Sequence, residues 1–358
     1  ATGFAPSIDL AQHGRLELDA TEVLRARGPR LAGTAYWRGM GFDAFDGKRW
    51  HVSWPLQEST RVQAGGAIDL GGAQATTSRY LVELAPTGTP ILFTLWPSSA
   101  LQLLEQPADV AMMQALDHTV RLAESPTTTI RYQLEVARGL PSDPAELPVV
   151  GYSVDLAQAS FLRLGGRPQE LAISRVSKDV VTLGRSLRRP NDDVMETTRR
   201  VFRYVREQHD YTLDIPPHRG APLDGFLFDS RRGHCELFST ALTVLLRAAG
   251  IPARNVNGFV GGDYDPLRQT YVVRRLHAHS WTEAWIPRLG WVLLDPTPGS
   301  AALEQAEEAL QQERGLSQTL REGWSTWVVR YDPGRQAELF GGDELRAASS
   351  GRGLGSAK

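Results

Sequence analysis

Arg231-Arg232-Gly233-His234-Cys235-Glu236-Leu237-Phe238 holds the only cysteine of a 358-residue chain, at a point where a loop turns into a helix. From Phe238 onward, the apolar residues Phe238, Leu242, Leu245 and Ala249 recur at i, i+4, i+7 and i+11, which is one inward-packing face of a helix. Gly250 stands where a left-handed cap would end that helix, and Pro252 blocks its continuation. Cys235 is therefore expected to open a buried helix of about four turns. A thiol in that place is chemically prepared. Unpaired N–H groups and the partial positive charge of a helix start favour thiolate over thiol. Arg231 and Arg232 push the same way if they lie close. Alone, the residue is ambiguous, because a single cysteine is commonly a small buried hydrophobe.

Downstream, strands are expected at 254–260, 269–275, 278–286 and 290–295, the last two joined by Pro287-Arg288-Leu289-Gly290, a turn of hairpin length. With the hairpin centred near 287–288, antiparallel pairing sets Asp295 opposite residues 279–281, a window that contains His279. A carboxylate and an imidazole would then meet across adjacent strands, with Cβ atoms ~4.5–5.5 Å apart. Cys235, His279 and Asp295 together supply what thiol acyl transfer needs. The thiolate attacks an amide carbonyl, the imidazole protonates the leaving amine, and the carboxylate fixes the tautomer of the ring. The backbone N–H of Cys235 is expected to be one oxyanion donor. Each residue has a plainer alternative. Cys235 could be structural, and Asp295, before Pro296, could merely start a turn. His277 and His279 lie at i, i+2 and could ligate a metal, but no further ligands stand at a recognisable spacing. His277 reads better as a flanking strand residue.

Upstream, Val176, Val180, Leu183 and Leu187 recur at helical spacing, and Asp192-Asp193 is a plausible N-cap for a helix carrying Val194, Val201, Tyr204 and Val205. Pro141, Pro144, Pro148, Gly151, Gly165 and Gly166 mark a crossing between domains. Residues 1 to about 140 read as strands and loops. Alternation is clean at 130–136, blurred by Leu81 at 80–84, and weak at 16–23 and 91–95, while Gly65-Gly66 and Gly71-Gly72 around Ile68 suggest a loop. The dense aromatics Tyr36, Trp37, Phe42, Phe45, Trp50 and Trp54 are read first as a hydrophobic seam with Asp46-Gly47 as a turn, and second as a docking surface. The expected fold class is α+β. An antiparallel sandwich-like domain spans 1–165, a core with the cysteine helix packed on an antiparallel sheet spans 166–300, and a helical extension with a flexible tail spans 301–358.

Balanced charge, 39 Lys+Arg against 41 Asp+Glu, gives no general attraction to nucleic acid or to an anionic membrane face. One cysteine excludes an intramolecular disulfide and the usual cysteine-rich zinc sites. Asp263 and Asp265 fall short of the six to eight oxygens that calcium takes. No cofactor or metal is expected. No run approaches the ~18 apolar residues of a membrane span, and the N-terminus lacks a signal-peptide pattern. A chain beginning at Ala1 is consistent with an excised part of a longer protein.

Several motifs resemble the bacterial transglutaminase-like core: Arg232-Gly233-His234-Cys235-Glu236, Gly250-Ile251-Pro252-Ala253-Arg254, Gly258-Phe259-Val260-Gly261-Gly262, Ala278-His279-Ser280-Trp281-Thr282-Glu283-Ala284-Trp285, and Gly290-Trp291 through Asp295-Pro296-Thr297. More narrowly they are similar to its membrane-anchored, TgpA-type members, a resemblance extended by Tyr36-Trp37-Arg38-Gly39, by Phe45-Asp46-Gly47-Lys48-Arg49-Trp50 and by the segment from Trp324 to Tyr331. The resemblance implies a papain-like core with Cys235, His279 and Asp295 as catalytic triad. It also implies a soluble part facing the periplasm, tethered by membrane segments outside this chain, and a protein or peptide substrate. The implied activity is acyl transfer from a glutamine side chain to an amine, or deamidation when water is the acceptor. One departure stands out. Animal transglutaminases carry an upstream tryptophan that helps hold the oxyanion, whereas here no Trp lies between Trp96 and Trp281. Tyr211, His218 and Trp281 are candidates for that second donor. Two other functions compete: a cysteine protease using the same triad, and a catalytically silent domain that binds a partner through the aromatics near Trp37 and Trp50.

Overall fold

A computed structural model describes residues 4–137 and 172–298, apart from 5–6, 12–13, 16–18, 32, 54–59, 63–65, 71–76, 105–111, 116, 174, 216–219 and 288. The expected inter-domain crossing, the C-terminal extension, Trp54 and His218 thus lie outside the described residues. The elements needed below are, from the front of the chain, strands β1 (Glu22–Arg27), β2 (Tyr36–Phe42), β3 (Ala67–Asp69), β4 (Thr77–Leu84), β5 (Thr94–Leu95), β6 (Ser98–Leu103) and β7 (Ile130–Ala137). Helices α1 (Lys178–Ser186) and α2 (Val194–Glu207) follow, then β8 (Asp210–Tyr211), β9 (Arg232–Gly233) and helix α3 (Cys235–Ala248). Strands β10 (Ala253–Val260), β11 (Asp263–Asp265), β12 (Thr270–Arg274), β13 (Ala278–Ile286) and β14 (Gly290–Leu294) complete the set.

The fold is α+β, strand-rich at the front, with a helix packed on a sheet behind. Among the described residues one sheet runs β11-β12-β1-β4-β7-β6-β3 and another β5-β2-β10-β13-β14. Both sheets mix strands from the front and the back of the sequence. In the second, β2 pairs antiparallel with β10, Phe259 opposite Trp37 and Val260 opposite Tyr36. Its register shifts between Asn257 and Gly258, a bulge that two glycines accommodate. A Cβ on Gly258 would lie 2.1 Å from the carbonyl oxygen of Trp37 and 3.0 Å from the Gly39 nitrogen, so no larger residue fits there.

Local chemistry explains the helices. Asp193 caps α2, accepting from the Glu196 N–H at 2.7 Å while Glu196 accepts from the Asp193 N–H, a reciprocal capping box. In α3, Phe238, Ala241, Leu242 and Leu245 are fully buried against β10, β13 and β14 and against α1 and α2. Each such leucine contributes about 1.5–3 kcal/mol by leaving water. Gly250, at φ 83°, closes the helix in the left-handed conformation expected of it.

The strands at 77–84 and 130–137 pair over their whole length, and Leu81, the residue that blurred the alternation, is the exposed one. Three expectations need correction. Of the stretch read at 16–23, residues 16–18 lie outside the described residues, and in the rest the strand begins only at Glu22, with pairing to β4 two residues on. The stretch at 91–95 splits around Phe93, its first half pairing with 120–121 and its second with β2. Ile68, read as part of a loop, lies in β3 and is buried against β6. The aromatics form a seam. Trp37, Phe42 and Trp50 have no exposure, and the Trp50 indole donates to Thr240 Oγ1 at 2.8 Å. A docking surface at Trp37 and Trp50 is thereby excluded.

Candidate active site

Short parallel pairing delivers the chain to Cys235. Arg231, at φ 51°, ends a six-residue wide helical turn and throws the chain into β9, which lies alongside β8 with Gly233 opposite Tyr211. A Cβ on Gly233 would stand 2.6 Å from Leu237 Cδ1 and 3.0 Å from the Phe226 ring, so glycine is what lets the strand run this close to its own helix. His234 is then the N-cap of α3.

The first N–H groups of that helix can be accounted for one by one. The Glu236 N–H donates to His234 Nδ1 at 3.2 Å, and the Leu237 and Phe238 N–H groups donate to the His234 carbonyl at 3.0 and 3.2 Å. The Cys235 N–H has no partner among the described residues. It is the orphan donor of this helix end, attached to the residue that carries the thiol.

Cys235 is half-buried, and His279 and Asp295 are buried. In the hairpin, Thr282 faces Leu294, so Asp295 continues opposite Trp281, inside the expected window. His279 Nε2 stands 2.8 Å from Asp295 Oδ2. Its other ring nitrogen remains for the thiol, with which the ring interacts electrostatically. Asp295 is itself held at both oxygens: Oδ1 accepts from the Thr297 N–H at 3.0 Å, and Oδ2 accepts from the Tyr36 hydroxyl at 2.9 Å.

The electrostatics favour charge separation. Burial pushes the Cys235 thiol up, but the His279 charge and the bonds from His234 and His279 outweigh it and bring the thiol down to about 6. Burial alone would depress His279, while the Asp295 and Cys235 charges and their hydrogen bonds lift it to about 10. Burial would raise Asp295 as well, and the His279 charge holds it below its ordinary value. The pair is thus thiolate and imidazolium at neutral pH. Glu236, desolvated and beside that thiolate, is pushed up to about 7 despite the attraction of His234. His234 faces two demands. Its burial is overcome by the bond to Cys235 and the Glu236 charge, which raise its proton affinity, yet the cap bond needs a bare Nδ1, so the ring that caps the helix is neutral.

Behind His279 on the same strand face lies Trp281, fully buried, stacked at 6.5 Å on the imidazole and edge-on to Tyr36 at 5.4 Å. Two residues further, Glu283 is clamped between two guanidinium groups. Arg38 Nε donates to Oε1 at 2.8 Å and Arg254 Nε to Oε2 at 2.7 Å. Arg254 also lies over the Trp291 ring at 4.1 Å.

His277 does not flank on the strand. It sits in a short 3₁₀ turn, Arg275–His277, where Nδ1 accepts from the Arg274 N–H at 3.0 Å and burial holds it down to about 4. A three-residue turn breaks the i, i+2 alternation that the metal alternative needed. Among the described residues, no group of three or more His, Cys, Asp or Glu side chains could hold a metal. Asp265 closes a turn, accepting from the Leu267 and Arg268 N–H groups at 2.9 and 3.0 Å. In the sequence Tyr36 stands out as an aromatic and as part of a family-like motif, and neither it nor Glu283 has a role assigned. Nothing local marks a residue that bonds to another 259 positions away.

Residues 181–296 match the transglutaminase-like superfamily and residues 1–143 match the TgpA N-terminal domain. A protein-glutamine gamma-glutamyltransferase of Pseudomonas aeruginosa is 28% identical over 359 residues, covering 86% of this chain and 46% of the relative. The Bacillus subtilis protein YebA is 36% identical over 128 residues, 34% of this chain and 17% of its own. This chain therefore spans about half the first relative's length, or less. The crystal structure of the periplasmic domain of TgpA from P. aeruginosa superposes with a TM-score of 0.64 at 27% identity, covering 87% of this chain and 99% of that one.

Proposed function

From a chain whose residues 181–296 belong to the transglutaminase-like superfamily, behind a TgpA N-terminal domain, we propose a cysteine acyltransferase that acts on glutamine side chains of proteins or peptides. The observation that carries this reading is His279 bonded to Asp295 at 2.8 Å, with the His279 charge drawing the thiol of Cys235, at the start of α3, down to about 6. The thiolate attacks the carboxamide carbon, and the carbonyl electron pair moves to oxygen, where the Cys235 N–H meets it. As the tetrahedral species collapses, His279 gives its proton to the departing nitrogen and ammonia leaves. The thioester is then attacked by a primary amine, whose proton His279 accepts, forming an isopeptide bond and regenerating the thiolate. With water in place of the amine, the product is glutamate. Asp295 keeps the imidazole in the orientation both transfers require.

The likeness to a periplasmic domain supports work on the periplasmic side of a bacterial inner membrane, with tethering by segments outside this chain. No helix among the described residues is long and apolar enough to cross a membrane. The decisive experiment incubates the protein with a labelled primary amine and a glutamine-bearing acceptor protein. Cys235-dependent incorporation is expected, with Cys235→Ala inactive. Incorporation that survives Cys235→Ala would overturn the reading. Mass spectrometry of the products separates it from proteolysis: amine adducts or shifts of about +1 Da at intact glutamines support it, and cleaved backbones refute it.

A further inference from the structure

Acyl transfer through a tetrahedral species needs two donors at the carbonyl oxygen, and the Cys235 N–H is one. Three side chains were candidates for the other. His218 lies outside the described residues. Trp281 has an unpartnered indole N–H but no exposure at all, packed between His279 and Tyr36, so an incoming carbonyl has no route to it.

Tyr211 differs. Main-chain bonds fix it beside the helix start: β8 runs parallel to β9, Tyr211 faces Gly233, and the flanking Asp210 and Thr212 N–H groups donate to the Arg231 and Gly233 carbonyls at 2.8 and 2.9 Å. Its ring lies against Phe238, one turn into α3, with centroids 6.3 Å apart, and it keeps partial exposure. The hydroxyl is in electrostatic reach of the Cys235 thiol, the Asp295 carboxylate and the Glu236 carboxylate, and has no hydrogen-bond partner among the described residues. We propose that Tyr211 is the second oxyanion donor, its O–H and the Cys235 N–H together receiving the charge that builds on the carboxamide oxygen. Burial first, and then the three neighbouring anions, hold its proton on, so the group stays a donor throughout the working range. In the attacking step the sulfur forms the C–S bond, the carbonyl π pair becomes the oxyanion, and Tyr211 keeps its proton while sharing it. Collapse returns that pair to the carbonyl as ammonia leaves with the His279 proton.

This assignment rests on the acyl-transfer reading, and two assays on Tyr211→Phe separate them. In glutamine-dependent amine incorporation, kcat should fall by ~10²–10³-fold, the usual cost of one oxyanion donor, with KM within about threefold. Alkylation of Cys235 by iodoacetamide, which displaces iodide at a saturated carbon and builds no oxyanion, should keep its rate and its pH profile, and it also reports that the variant is folded around the thiol. A kcat within about threefold of the parent overturns the assignment, as does a parallel loss of alkylation, which would mean that Tyr211 acts through the thiol. If the parent protein forms no thioester on Cys235, the acyl-transfer reading itself falls and this one with it.

Discussion

Tyr36 donates its hydroxyl hydrogen to Asp295 Oδ2 at 2.9 Å, the same oxygen that faces His279 at 2.8 Å. A strand from the front of the chain thus holds the carboxylate that orients the imidazole. Removing the hydroxyl in Tyr36→Phe leaves a buried carboxylate short of one bond and should cost about 1.5–3 kcal/mol of stability. With its carboxylate less firmly held, the imidazolium supports the thiolate less well, and the thiol titration should move upward. Urea unfolding, together with the pH dependence of alkylation at Cys235, measures both. Unchanged values would show that the contact has no energetic weight.

The opposed shifts of Cys235, to about 6, and His279, to about 10, define a working window. Below it the thiol takes up a proton and stops being a nucleophile. Above it the imidazolium loses the proton owed to the leaving group. Acyl transfer should therefore show a broad plateau between these limits, read from kcat/KM across pH. In His279→Ala the charge that lowers the thiol is gone while burial still raises it. The sign is upward, and the alkylation rate at pH 7 should fall by at least about tenfold.

Glu283 compensates two buried guanidinium groups at once, those of Arg38 and Arg254. Glu283→Gln takes the carboxylate from Arg254 and leaves Arg38 with Asp117 at 3.4 Å, and it should destabilise the fold by about 3–5 kcal/mol. The carboxyl, raised by burial but lowered further by the two arginine charges, lies below its ordinary 4.5 in the folded protein. Its contribution is therefore complete above that ordinary value and is lost as pH falls through the depressed folded value. In acid unfolding, the stability difference between the parent and Glu283→Gln should be full above about pH 4.5 and shrink as pH falls below it, closing beneath the depressed folded value. Curves that stay parallel would count against this account.

Gly258 sits opposite His279 and against the backbone of β2. Gly258→Ala sets a methyl group 2.1 Å from the Trp37 carbonyl, so one strand must move. A loss of more than about 3 kcal/mol in thermal or urea unfolding is expected, with activity reduced even where the fold persists. A variant of parental stability would mean that the bulge is more yielding than its packing implies.

What could be read from sequence follows the range of the interactions. The cysteine helix, its glycine cap and the reach of Asp295 toward His279 are encoded within the 61 residues from 235 to 295, by periodicity and by one turn, and the structure keeps them. The placement of β2 between β5 and β10 has no local signature. Tyr36-Trp37-Arg38 looks like any aromatic strand, and one of its two partners, β10, lies more than two hundred positions on. His277 failed for the opposite reason: a three-residue turn interrupts an alternation that continues on either side of it. Tyr211 could be marked as a candidate donor from sequence but not singled out, because its proximity to the thiol depends on a two-residue parallel pairing too short to anticipate.

The insertion of β2 beside β10 also sets a timetable for synthesis. Phe42 leaves the ribosome about 210 residues before Ala253, an interval of roughly 10–40 s at ordinary elongation rates. Throughout that wait Arg38 lacks both Glu283 and the sheet that will enclose it. Conversely, a chain shortened to its second half would present all eight buried residues of β10 along an open edge, the kind of edge that recruits other molecules. Cell yield of the second half expressed alone, against the two halves co-expressed, would register how far the front strand acts as a built-in chaperone for the sheet behind it.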